Sequence, residues 1–235
     1  MMVGTLVDQP AQLEVPAPRL TLPKWHIALV LVGWPAAYLV NSFMPWSREL
    51  FGRLNPRWFY PFWASVTLLH WGSVAFVVYS VRNSGGSVKD IGFTTSPRRM
   101  LVMLVCLAAL GAAMVFLRAH DPRSPAPLTV ATVMLPRRAP QRLFWIAMSL
   151  TAGFCEELVY RGFAISALRG RGMRAWQALI IASVSFVFVH GLAGVFAFPV
   201  YFTFGLLFGG LFLWRRTLAP GMCLHAAFDM FAILA

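Results

Sequence analysis

The sequence predicts an all-α fold, a polytopic membrane bundle of six to eight transmembrane helices, and three observations carry that expectation. Of its 235 residues 59% are hydrophobic and 12% charged, with a mean hydropathy of +0.68; soluble domains are far less apolar. The apolar residues fall in runs of roughly 18 to 24, the length a helix needs to cross the hydrocarbon core. Aromatic clusters such as Trp58, Tyr60 and Trp63 stand at the ends of such runs, as side chains at a membrane interface do.

Lys and Arg number 20 against 8 Asp and Glu, a net charge of +12, and most of that charge lies between the apolar runs. Such loops suit anionic lipid headgroups, so the bilayer is the expected partner; a nucleic-acid patch would need a polar domain to carry it. Cys106, Cys155 and Cys223 all sit in apolar runs without metal-type spacing, which argues against a disulfide framework. Cys155 is read as a small buried hydrophobe, because apolar surroundings work against a thiolate.

Residues 1–24, with Pro10, Pro16, Pro18 and Pro23, are expected to form a mobile tail, and residues 25–235 one membrane domain. The tail lacks the basic start and apolar core of a secretory signal. Spans are expected at about 25–44, 58–81 and 100–117. His70, inside the second, is read as a packed histidine making one hydrogen bond. Between Arg118 and Arg142 five prolines make one continuous helix improbable, leaving a loop with an interfacial turn near Leu128 to Leu135. The fourth span is expected to run from Arg142 to Arg169 and to break at Arg169-Gly170-Arg171-Gly172. Further spans are expected at 173–190 and 195–214, with a last apolar stretch from Gly221. The excess of Lys and Arg on the tail and the even-numbered loops places the N-terminus in the cytoplasm.

Glu156, Glu157 and Arg161 lie inside the fourth run. Ionisable groups at that depth cost at least about 2.5–3.5 kcal/mol each, so they face a protein interior and have a task. Glu157 and Arg161, four apart, share a helical face and can pair, which leaves Glu156 free to exchange a proton. An interfacial salt-bridge cluster at a helix end is the plainer reading. Glu156 lies about 16 residues before Gly172 and His190 about 18 after it, so in a hairpin both sit roughly 24 to 27 Å from the turn. Phe186 stacks one turn before His190, where it could shield or orient the imidazole, and His225 and Asp229 repeat the four-residue spacing.

A carboxylate beside a histidine in a dry cavity suits activation of water, and a second histidine with Asp229 suits hydrogen bonding to an oxyanion. The expected reaction is hydrolysis of an amide bond at membrane depth, with Glu156, His190, His225 and Asp229 catalytic. No cofactor is needed for it, although Glu156, His190 and His225 could instead hold zinc. A proton-coupled transporter built on the same groups, or a non-catalytic immunity or scaffold protein, are the readings of another class.

Glu156-Glu157-x-x-x-Arg161, Phe186-x-x-x-His190 and His225-x-x-x-Asp229, in that order, resemble the motifs of the CAAX-protease and bacteriocin-processing (abortive-infection) family of intramembrane endopeptidases, which includes the type II CAAX prenyl proteases. The resemblance covers about residues 142–235. It implies a protease with a conical active-site cavity in the membrane and a membrane-associated protein or peptide as substrate. Glu156 and His190 would activate water, His225 and Asp229 would line the oxyanion site, and Glu157 and Arg161 would be structural or substrate-orienting. Many family members carry Asn at the position of Asp229; an Asp serves an oxyanion only when protonated or turned toward His225.

Overall fold

The computed structural model describes residues 21–122 and 127–234, and among them it contains helices, turns and loops but no strand. Most of the expected tail, residues 1–20, lies outside the described residues. The helices are α1 (Lys24–Asn41), α2 (Pro45–Gly52), α3 (Pro56–Asn83), α4 (Pro97–Ala119), α5 (Ala139–Gly170), α6 (Ala175–Phe188), α7 (Gly191–Phe196), α8 (Phe198–Arg215) and α9 (Ala219–Leu234). The protein is an integral membrane protein: α3, α4, α5 and α8 are each long and apolar enough to cross a bilayer, and α1 with α2, bent by 55°, makes a fifth span if counted as one.

The expected six or more spans are reached only by adding α6 and α9, which are apolar but shorter. α6 has 14 residues, about 21 Å of rise, against a hydrocarbon core of about 30 Å. It stops early because the chain turns at Val189 and His190 and then takes a left-handed conformation at Gly191 (φ 57°), where a side chain would run into Ser42 Oγ. The sixth expected span, 195–214, corresponds to α8, which the short α7 precedes.

Local sequence accounts for the other boundaries. Ser96 accepts a hydrogen bond from Arg99 N and Pro97 fills the first turn, so α4 starts there. α5 continues unbroken past the carboxylates as expected, through a π-helical segment at Glu157–Ile165, and gives way to the turn at Arg171 and Gly172. Residues 130–134 form turns, in line with the expected loop.

α5 is the hub. In its most apolar window 61% is buried inside the protein, against 17% for α4 and 11% for α8, which turn large apolar side chains such as Leu101, Phe116 and Leu207 outward. α3, α4, α6, α8 and α9 all pack on it. The closest approach is to α9: a Cβ on Gly153 would sit 2.8 Å from Met222 O and 2.9 Å from Ala226 N, so only glycine lets the two backbones meet. Gly153→Val is expected to destabilise the protein by about 1–3 kcal/mol through this overpacking, seen as a lower thermal unfolding midpoint in detergent. Gly210→Ala, whose methyl would meet nothing within 4 Å, is expected to leave that midpoint unchanged or raise it.

Candidate active site

Six helices and one loop wall a cavity of about 250 Å³. α5 contributes Trp145 and Glu156, α3 contributes Trp63 and His70, α9 contributes His225 and Asp229, and α8 contributes Tyr201. His190 enters from the break between α6 and α7, and α1 adds Tyr38 and Asn41. Met134 and Leu135 of the loop before α5 close one end. The four residues expected to be catalytic, Glu156, His190, His225 and Asp229, thus all line one cavity.

The two carboxylates have different surroundings. Glu157 opens the π-helical segment and is completely buried. Its Oε1 accepts a hydrogen bond from His225 Nδ1 at 3.0 Å and forms an ion pair with Arg161 Nη1 at 3.3 Å. Gly221 makes the room, since a Cβ there would sit 2.8 Å from Glu157 Oε2. The Glu157–Arg161 pair expected from four-residue spacing is therefore present. Arg161 is 2% exposed, lies 3.9 Å over the face of Phe186 and does not line the cavity.

Glu156 is the last residue before the π-helical segment and faces the cavity. Its Oε1 is 2.8 Å from His70 Nε2; its Oε2 has no hydrogen-bond partner and lies 3.6 Å from His225 Nε2. His225 Nε2 is also 3.7 Å from Asp229 Oδ2, so Asp229 is turned toward the imidazole. Trp145 Nε1 donates to the backbone carbonyl of Asp229 at 2.8 Å and fastens that turn of α9 to α5.

His190 Nδ1 donates to Phe186 O at 3.2 Å, which leaves Nε2 as the acceptor of a neutral ring. Phe186 meets the ring edge-on, centroids 5.0 Å apart, and Tyr201 stacks on it at 3.8 Å. Phe186 thus packs against the His190 imidazole and also carries the Arg161 guanidinium on its face. His190 forms neither a hydrogen bond nor an ion pair with Glu156; the two groups share the cavity with a gap between them.

The three motifs include neither His70, read from the sequence as a packed histidine, nor Tyr201 nor Trp145. His70 does make one buried hydrogen bond, but its partner is the cavity carboxylate. The signal available was a histidine within an apolar span, with nothing in its spacing to link it to residue 156. Among the described residues no group of three or more His, Cys, Asp or Glu side chains is arranged to hold a metal ion. In Glu156, His190 and His225, the set considered for zinc, His190 and His225 have each committed Nδ1 to another oxygen, and Glu156 Oε1 is taken by His70. That leaves Nε2 of each imidazole and Oε2 of Glu156 as the atoms of this set that could bind a metal.

Because Glu157 and Arg161 are both buried, removing one partner leaves the other charge uncompensated. Arg161→Met is expected to cost about 3–5 kcal/mol, and the double variant Arg161→Met/Glu157→Gln less than the sum of the two single ones, as measured by unfolding in mixed micelles.

A search of the curated proteins and one of the solved structures returned no match. Residues 138–231, the segment that carries all three motifs, match the family described as type II CAAX prenyl endopeptidase Rce1-like, the same family that the motifs resemble.

Proposed function

We propose that the protein is an intramembrane endopeptidase that hydrolyses a peptide bond of a membrane-associated protein or peptide, with Glu156 as general base and no metal ion in the reaction. The observation that carries this reading is the bare Oε2 of Glu156, buried among the imidazoles of a cavity inside an apolar bundle. A carboxylate oxygen without a donor is a ready acceptor for a proton from water.

In this reading a water between Glu156 and His190 gives one proton to Glu156 Oε2 and hydrogen-bonds through the other to His190 Nε2, which aims its lone pair at the scissile carbonyl. Attack forms the C–O bond and moves charge to the carbonyl oxygen. His225 donates to that oxyanion from Nε2. With Nδ1 already donating to Glu157, the ring must carry both protons to do so, and the carboxylates of Glu156, Glu157 and Asp229 surround it to balance that charge. Asp229, turned toward His225, orients the donor. Glu156 then passes its proton to the leaving amine as the C–N bond breaks. Glu157 and Arg161 hold His225 and the π-helical segment in place.

The match of residues 138–231 to an endopeptidase family supports the reaction class, and the apolar bundle supports a substrate that reaches the cavity from the bilayer. The excess of Lys and Arg on the tail and the even-numbered loops supports a cytoplasmic N-terminus.

The test is cleavage of a membrane-tethered peptide by the protein reconstituted in liposomes. Glu156→Gln and His190→Ala are each expected to lower turnover by about 10²–10⁴-fold, and full turnover in either would overturn the assignment. Pre-incubation with 1,10-phenanthroline is expected to leave the wild-type rate unchanged; loss of activity restored by zinc would replace the metal-free mechanism.

A further inference from the structure

The reach of α3 into the cavity has no counterpart in the three motifs. His70 lies on this span, well outside residues 138–231, and is 4% exposed. Its Nε2 is 2.8 Å from Glu156 Oε1, the only hydrogen bond to that carboxylate among the described residues. For Nε2 to donate to a carboxylate while the ring is neutral, the proton must sit on Nε2. Nδ1 is then a bare lone pair, and Nδ1 is indeed buried without a partner. Leaving a buried acceptor unpaired costs about 1–3 kcal/mol, so the ring holds this position at a cost that must be offset by the bond to Glu156 and by packing. Part of that packing is the ring of Tyr38, edge-on with centroids 5.6 Å apart.

The consequence is an asymmetry in Glu156. One oxygen is tied to α3, while the other is bare and faces His225 Nε2 at 3.6 Å. Without the tie the carboxylate would be free to rotate about its last side-chain torsion, which is broad and roughly two-fold. Either oxygen, or neither, would then point at the water. We infer that His70 is a positioning residue that selects the proton-accepting oxygen of Glu156 by anchoring the other one. The role deepens the proposed hydrolysis and rests on Glu156 being its base. It also gives a helix outside the family-matched segment a specific part in the chemistry. His70 reaches the reaction through Glu156 alone, so its loss should lower kcat and spare KM.

The experiment compares His70→Phe, which keeps a flat ring but no donor, with His70→Gln, whose side-chain amide can place an N–H near the position of Nε2. Cleavage of the membrane-tethered peptide in liposomes is followed for each, alone and combined with Glu156→Gln. His70→Phe is expected to lower kcat by about 10–100-fold with KM within about two-fold, in the range that misplacing a catalytic group costs. His70→Gln is expected to recover at least about a third of the lost rate on a logarithmic scale. In the Glu156→Gln background His70→Phe should have no further effect. Wild-type kcat in His70→Phe, a loss confined to KM, or a loss that Gln does not rescue would each overturn the inference.

A second readout does not depend on turnover: the ¹⁵N shifts of His70 are expected to report the Nε2–H tautomer and to move in Glu156→Gln. A His70 ring protonated on Nδ1 alone would overturn the inference even if Glu156 proves essential. Full turnover by Glu156→Gln would instead overturn the proposed hydrolysis, leaving the tautomer measurement to decide whether His70 anchors that carboxylate.

Discussion

Carboxylates held inside an apolar bundle must find partners within the protein, because lipid provides none. Glu157 meets that requirement through Arg161 and His225, and the arrangement leaves almost nothing exposed: Glu157 is 0% and Arg161 2% exposed. Once this pair is fixed, several other features follow. His225 is held by Nδ1, so only Nε2 is left for the cavity. Phe186 is held under the guanidinium, so its backbone carbonyl and ring edge are in place to hold His190. The buried ion pair thus acts as a foundation from which both imidazoles are aimed, without itself reaching the cavity.

The backbone makes that foundation possible at a few positions. Gly153 lets α9 lie against α5, which is what carries His225 to the carboxylates, and Gly221 leaves the space that Glu157 Oε2 occupies. The switch from α- to π-helical geometry falls between Glu156 and Glu157, so two adjacent carboxylates are separated in role at the point where the helix changes its winding. Such π segments recur at functional sites, where the altered winding re-aims side chains. The break at His190 does the same for α6: a helix that continued straight would carry the imidazole on a regular face, whereas the turn and the left-handed Gly191 put it at a helix end beside Tyr201.

The first two spans have no motif, yet they complete the enclosure. Tyr38 and Asn41 come from α1, and Trp63 and His70 come from α3, with Trp63 Nε1 donating to Met134 O and so fastening the loop at the end of the cavity. The segment that matches the family supplies the groups proposed to react, and the remainder supplies walls, a closing loop and the anchor on Glu156.

Much of this was legible in the residues. Hydropathy and length determined that the chain is an all-helical membrane bundle, because a bilayer permits few other solutions to the backbone's hydrogen-bonding needs. The spacing Glu157 to Arg161 determined a shared face, and counting from Gly172 pointed Glu156 and His190, which line one cavity, toward each other. Only the tertiary structure decided the partners of those groups across helices. That His70 would meet Glu156 and that His225 would choose Glu157 for Nδ1 depend on how separate rods lie against one another. Helix packing is set by small residues such as Gly153 whose effect has no period to read. A contact between residues 70 and 156 leaves no trace in either local pattern, because a sequence separation of 86 does not constrain the angle at which the two helices cross.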